Sequence, residues 1–541
     1  MQQPSHPFSP VIRSEKRFAL CLTLLFCAAA CAAVATHEPW RDEIQKWLIA
    51  RDSTSPIDLF RNIRYEGHPG LWYFCLWIAS RFTHSPAAMQ ITHLAISTAA
   101  VYLMARHSPF SRIQRGLFAF GFFPFYEYTV LSRNYGIGML LLFAFCCLFP
   151  KRNERFLGTA VVLFLLANTN VYMLIVASLL AAVLAIDFLL SRRAPPAWKT
   201  AVGFTVIGTG MLLSILEMIP PLDGGFARLW KFSLDIRGLE RTINTVVRGY
   251  FPLLQIRSDF YVSPLFFEKF RLFLKFEFVC SLAVIAGAAL VFLRRPAALA
   301  VFLGGTVGLW LFFYSKYLGS LRHHGLLYIL FVVSAWLYGT GPPNVIKSSV
   351  LRRWNAALEK LFHPAVTVLF GLHVAVAAVA VTMDVGHVFS CGKATAAFIR
   401  REAMQGRVMA GHMDSNVVSV IGYLDKREIY FPHSDRFGSY VIWTLRRNAP
   451  VSDSVICERV KALAVRSKQD VLFIVHYPFP LLGPGVKPLA SFTGSMIRDE
   501  DFYLYNVPTI PGKGDGGRET GEGVTFTGGD TQAKTVSSDR F

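Results

Sequence analysis

The sequence predicts an all-α polytopic membrane domain of about 11 crossings, followed by an external α/β domain at its C-terminal end. Three observations predict it. The 541 residues are 53% hydrophobic and 14% aromatic, too apolar for an ordinary soluble enzyme. The basic residues leave a formal charge of +20, yet they fall in short clusters between apolar runs, as in Lys151–Arg155 and Arg192–Arg193. That is the pattern of cytoplasmic loops. From Asp384 onward the composition changes to a mixed soluble pattern. The same scatter of charge argues against nucleic-acid binding, because no basic stripe interleaves with aromatics.

Arg13, Lys16 and Arg17 precede the first apolar run, 18–35. A signal peptide ending at Ala33-Val34-Ala35 is one reading, but the run is nearer the ~20 residues of a spanning helix than the 7–15 of a signal core. A retained first helix after a cytoplasmic segment 1–17 is the expectation. Further apolar runs lie near 69–82, 87–105, 116–131, 136–150, 156–168, 171–190, 200–219, 274–293, 297–315, 324–339 and 364–382. They define a membrane domain over 18–383. The strongest cytoplasmic anchor is the loop holding Lys347, Arg352, Arg353 and Lys360. Parity then sets the loops 37–68 and 220–272, the turns 132–135, 168–172 and 322–324, and everything after 383 on the outer face. Arg106–Arg115 belongs inside, so 69–105 is expected to make one net crossing, with one half re-entrant or interfacial.

Over 384–510, Gly406–Gly411 and Asp470–Val475 read as buried strands, and 414–424 and 451–467 as helices. That alternation predicts a small α/β domain. The stretch 511–541 has almost no apolar residues and is expected to be disordered. Seven of the nine cysteines lie in apolar runs as small hydrophobes, which leaves Cys391 and Cys457 as the one pair open to a disulfide.

Four polar clusters interrupt the apolar pattern. In His37-Glu-Pro-Trp-Arg-Asp-Glu43 the adjacent carboxylates Asp42 and Glu43 follow the first span, where charge near hydrocarbon is expensive and reads as functional. They also suit the first turn of an interfacial helix. In Tyr65-Glu-Gly-His-Pro-Gly-Leu-Trp72, Glu66 and His68 either cap the next helix or supply ligands opposite Asp42. Arg133 and Tyr135 sit at a later outer turn with Asn170 on the next one, and Arg322-His323-His324 on another. These residues are either an interfacial belt or a grip on a phosphate, for which Arg's planar fork is suited. Independent interfacial residues would scatter over both faces. Parity instead brings every cluster to one face, which favours a single outward site handling an anion and a proton transfer. Glu43, Glu66 and His68 are the candidates for holding a divalent metal; no cofactor is required by the pattern.

These motifs resemble the GT-C superfamily of membrane glycosyltransferases, in its protein mannosyltransferase and aminoarabinose-transferase branch. The resemblance rests on Trp40–Glu43, Tyr65–Trp72 and Ser132–Tyr135 and covers roughly 18–190; beyond that it is architectural. It implies transfer of a sugar from a polyprenyl-phosphate donor to a lipid, polysaccharide or protein acceptor at the outer face of a bacterial inner membrane. It also implies that Asp42, with Glu43 next, is the general base, and it maps the family's proline motif onto Glu66, His68 and Pro69. His68 stands where many relatives carry another polar or basic residue. The donor phosphate is expected near Arg133, Arg322 or His324. Two other readings remain at this stage: a transporter or flippase for a lipid-linked glycan, and a non-catalytic polysaccharide-assembly subunit.

Overall fold

The computed structural model describes residues 10–190, 194–225, 230–252, 254, 271–340, 343–483, 486–497, 499–509 and 524–527. The predicted basic pair Arg192–Arg193, part of the loop 220–272 and most of 511–541 lie outside the described residues. Within them, seven helices are long and apolar enough to cross a membrane. These are α1 (Pro10–Thr36), α5 (Ala87–His107), α9 (Val171–Leu190), α10 (Ala197–Met218), α12 (Arg271–Phe292), α13 (Pro296–Ser315) and α15 (Ser349–Gly386). Helix α1 is built into the bundle, because Phe26 is fully buried against Phe120 and Phe125.

Several apolar runs become shorter pieces. The run at 69–82 is only α4 (Leu71–Ser80), while α7 (Tyr135–Leu148) and α8 (Phe156–Ala167) are also short. The run at 116–131 is divided between α6 (Arg112–Ala119) and a π-helical segment, Phe122–Val130, whose nine residues are all buried. Helix α14 (Leu321–Tyr338) is buried continuously from His323 to Leu337, as befits a helix apolar on every side at the centre of a bundle. The expected cytoplasmic loop around Arg352 and Arg353 is instead the first part of α15. Its 38 residues rise about 57 Å, well over the ~30 Å hydrocarbon core, so the basic end extends past the apolar one.

The segment 37–68, expected as the first external loop, is helical. It holds α2 (Arg41–Asp52) and α3 (Pro56–Asn62), and the Ser55 hydroxyl caps α3 by accepting from the Asp58 N–H. The segment expected as the second external loop contains α11 (Ile236–Tyr250), started by the Asp235 carboxylate.

The C-terminal part is an α/β domain, as expected. It contains α16 (Gly392–Arg401), β1 (Val408–His412), α17 (Asp414–Leu424), β2 (Ile429–Phe431), β3 (Arg436–Gly438), α18 (Leu445–Asn448), α19 (Asp453–Ser467), β4 (Val471–Val475), β5 (Ala490–Thr493), β6 (Phe502–Val507) and β7 (Val524–Thr527). The strand order is β3-β2-β1-β4-β6-β5-β7, with β1 parallel to both β2 and β4. Two boundaries differ from expectation. Helix α15 continues to Gly386, and Val524–Thr527, inside the stretch expected to be disordered, pairs in parallel with β5. Cys391 and Cys457 are free thiols. They cannot pair because they belong to hydrophobic clusters on different sides of the sheet.

The domain is not a loose appendage. Ile44, Trp47 and Leu48 of α2 share one apolar cluster with Val417, Val420 and Ile421 of α17. A Cβ at Gly422 would come within 2.4 Å of the Ile44 side chain, so this glycine is what lets the two helices approach. Sharing a core fixes the C-terminal domain against the segment after α1.

Candidate active site

Helix α2 sorts the residues of the first cluster. Asp42, Gln45 and Lys46 lie three and four positions apart and so share one face, which borders a cavity of about 190 Å³. Glu43 follows Asp42 and turns the other way. The cavity is also lined by Arg41, Glu66, His68 and Arg133, and the C-terminal domain closes it with Ser415, Val418, Val441 and Trp443.

At its centre Asp42 Oδ2 accepts from Arg133 Nη1 at 2.7 Å, and Arg322 Nη2 lies 3.5 Å from the same oxygen. The two arginines arrive from turns far apart in sequence, one before α7 and one opening α14. The Asp42 side chain is 31% exposed, whereas that of Arg133 is 7% exposed. Burial works against the Asp42 charge, but Arg133, Arg322 and Lys46 outweigh it and hold the carboxyl well below its ordinary range. Lys46 is buried, with its ammonium 4.0 Å from Glu66 Oε2. Burial lowers its pKa, with Arg133 and Arg322 adding to the effect against the pull of Glu66 and Asp42.

The second cluster enters the same cavity. Gly67 has a φ of 65°, a turn that glycine adopts without strain and that separates the directions of Glu66 and His68. Neither caps α4, whose N-cap residue Gly70 has no side-chain partner of that kind and donates its N–H to Glu217 at 2.7 Å. Glu66 is saturated: Oε1 accepts from Gln45 at 2.8 Å and Trp443 at 3.2 Å, and Oε2 from the Tyr73 hydroxyl at 3.0 Å. The His68 Nδ1 is buried with no hydrogen-bond partner. Burial, reinforced by Lys46 and Arg133, pushes this imidazole down to about 3, so it is neutral.

Glu43 is corrected from alternative base and metal ligand to an anchor. It is fully buried, and its oxygens accept from the Ser132 N–H at 2.5 Å, His37 Nε2 at 3.0 Å and the Trp40 N–H at 3.3 Å. His37 donates its other nitrogen to Asp384 at 2.9 Å. Burial opposes the His37 charge, but Asp384 and Glu43 overcome it and raise the imidazole to about 10. Glu43 therefore ties the end of α1, the start of α2, the top of α15 and the turn carrying Arg133 to one another. Glu43, Glu66 and His68 do not converge as metal ligands. Among the described residues no group of three or more His, Cys, Asp or Glu has that geometry.

The remaining candidates take other places. Tyr135 stacks its ring 5.8 Å from the Arg133 guanidinium and packs edge-on to His323. Asn170 is corrected to a helix cap, its Oδ1 accepting from the Met173 N–H at 3.0 Å at the start of α9. His323 Nδ1 accepts from the Ser320 N–H at 2.8 Å and closes the first turn of α14. His324 holds the Leu318 carbonyl at 3.1 Å. Of the Arg322-His323-His324 triplet, only Arg322 reaches Asp42.

Sequence reasoning missed Lys46, Gln45, Arg41 and the wall from the external domain. Lys46 carried a legible signal, since it stands one helical turn after Asp42. Val441 and Trp443 carried none, because their place depends on how α17 docks on α2. Comparisons of this chain with family models, with curated proteins and with solved structures give no match.

Proposed function

We propose that this chain is a membrane glycosyltransferase of GT-C type. It moves a sugar from a polyprenyl-phosphate donor to an acceptor hydroxyl at the outer face of a bacterial inner membrane. The observation that carries the reading is Asp42, a partly exposed carboxylate held by Arg133 and Arg322 in a cavity that also contains Lys46. Guanidiniums paired with an exposed carboxylate can exchange it for a phosphate, which suits their fork equally well.

In the reaction the acceptor oxygen bonds to the anomeric carbon as the bond from that carbon to the phosphate oxygen breaks. The acceptor proton passes to Asp42, and the leaving electron pair stays on the lipid phosphate, where Arg133 and Arg322 meet the growing charge. With both guanidiniums on it Asp42 is a weak base. A donor phosphate that draws one away raises its proton affinity, so base strength is coupled to donor occupancy.

The topology belongs to the same proposal. Seven long helices with α7, α8, α14 and the α6–π segment make about 11 crossings, and leave the external domain on the side of the cavity. The ten residues of α4 rise about 15 Å, half the hydrocarbon thickness, which supports a single net crossing over 69–105.

The test is transfer by purified protein in detergent from a panel of labelled polyprenyl-phosphate sugars. Transfer by the parent and its loss in Asp42→Asn is the expected result. Absence of transfer from every donor, together with movement of a lipid-linked glycan across vesicles, would replace the transferase with a flippase.

A further inference from the structure

The external sheet carries a second cluster of polar side chains that the cavity does not use. Strand β1 has parallel neighbours on both sides, and the two crossovers pack on opposite faces. Val417 and Ile421 of α17 share a cluster with Met409, whereas Ile456 and Val460 of α19 share one with Ala410. Such a reversal of strand order opens a crevice at the carboxyl ends of the strands, where sheets of this kind take ligands. Here β1 and its two parallel neighbours each lead to a histidine: His412 closes β1, His433 comes two residues after β2 and His476 follows β4. The register pairs His412 with Val475 and Ala410 with Tyr430, which brings the three rings to one level. The ring of His412 lies 5.7 Å from that of His433, 6.3 Å from His476 and 6.1 Å from Tyr477.

We infer that this crevice binds a neutral sugar unit of the acceptor glycan, an inference that rests on the transferase reading and names its acceptor class. The Nδ1 atoms of His412 and His433 and the Ser434 hydroxyl are buried without a hydrogen-bond partner, and the three residues are 5%, 9% and 7% exposed. Groups in that state want a partner that brings its own hydroxyls. His476 and Tyr477 are half-buried beside the crevice, packed edge to face with ring centroids 4.8 Å apart, so that one ring face can meet the apolar face of a pyranose. The ligand is uncharged because the surroundings favour neither sign. Burial, with His433 and His476 adding to it, pushes the His412 imidazole down to about 4, while the Asp414 charge nearby is already paired with Arg447 at 2.9 Å. The histidines do not form a metal-holding group.

The position is right for an acceptor. Ser415 and Val418 of α17 line the 190 Å³ cavity, and α17 starts directly after His412. Asn416 in the same turn donates to the Asp499 carbonyl at 2.9 Å, and Asp499 pairs with the cavity residue Arg41 at 3.4 Å. A glycan chain lying across this turn would place one unit in the crevice and its terminal hydroxyl toward Asp42.

The experiment is saturation-transfer NMR on the full chain in detergent with neutral tetrasaccharides of hexose, N-acetylhexosamine and pentose. At least one is expected to bind the parent and Asp42→Asn equally. Its affinity should fall about tenfold or more in His412→Leu and in the half-buried variants His476→Ala and Tyr477→Leu, each compared with the parent at matched thermal stability. Binding to none of them, or equal binding by the parent and the His476 and Tyr477 variants, overturns the proposal. Stoichiometric zinc in purified parent that is absent from His412→Leu would overturn it in favour of a metal centre. Glycan binding without sugar transfer from any donor would defeat the transferase reading while leaving the crevice as a glycan site.

Discussion

The loop after α1 and the turn that opens α14 carry the same kind of sequence signal, clustered polar residues at the end of an apolar run, yet they are used differently. In the loop, Asp42, Glu66 and His68 all reach the cavity, and Lys46 joins them. At the α14 turn only Arg322 reaches Asp42, while His323 and His324 complete the helix start and the preceding backbone. The loop owes its yield to α2, which is docked by Ile44 and Trp47 and so turns a full polar face outward. The α14 turn is the end of a helix buried on every side, and there the orphan backbone groups at the terminus compete for every polar side chain. Residue type thus marks the polar clusters at the ends of apolar runs, and helix rotation decides which neighbour faces the cavity.

Adjacent carboxylates make the sharpest break of that contrast. Asp42→Asn should keep the fold and lower transfer by about 10²–10⁴, the usual loss for a general base, read as turnover at matched membrane abundance. Glu43→Gln should do the reverse. Breaking its buried contacts with His37 should cost about 3–5 kcal/mol of stability, measured as lower thermal stability in detergent, with residual folded protein still binding donor. Loss of turnover at normal stability in Glu43→Gln would exchange the two roles.

The α14 turn supplies the next comparison. Arg322→Ala should weaken donor binding by about 1.5–3 kcal/mol, the worth of a hydrogen bond to a charged group, seen as a raised KM for the lipid phosphate. His323→Ala should leave that KM unchanged and lower only stability. Equal effects of the two on donor KM would return the whole triplet to one role.

His37 sharpens the anchor half of the contrast through pH. Its proton affinity is raised by folding, so its contribution is complete below the ordinary value of 6.5 and is lost as pH rises through about 10. Thermal stability should therefore fall across that window in the parent. His37→Gln should begin less stable and show a flatter slope. The smallest effect belongs to Asn170→Ala, where loss of the α9 cap should cost about 1 kcal/mol and leave donor use intact in the same transfer assay.

The sequence by itself determined the class of the molecule and most of its elements. Apolar run length and the placement of Lys and Arg are properties of the chain, and partition between water and hydrocarbon acts on them segment by segment. The short apolar runs within 406–411 and 470–475 likewise yielded the buried strands β1 and β4, with α17 at its expected bounds. Asp42 was legible because a charge beside a span is costly wherever the rest of the protein lies. Only the tertiary structure decided that Glu43 faces inward, that Asn170 and His323 are caps and that Lys46 shares the cavity. It alone brought Trp443 and Val441 across from the C-terminal domain to close the cavity. Those outcomes depend on how α2 is rotated by its packing against α17, and on distances between turns far apart in the chain, which no local pattern of residues encodes.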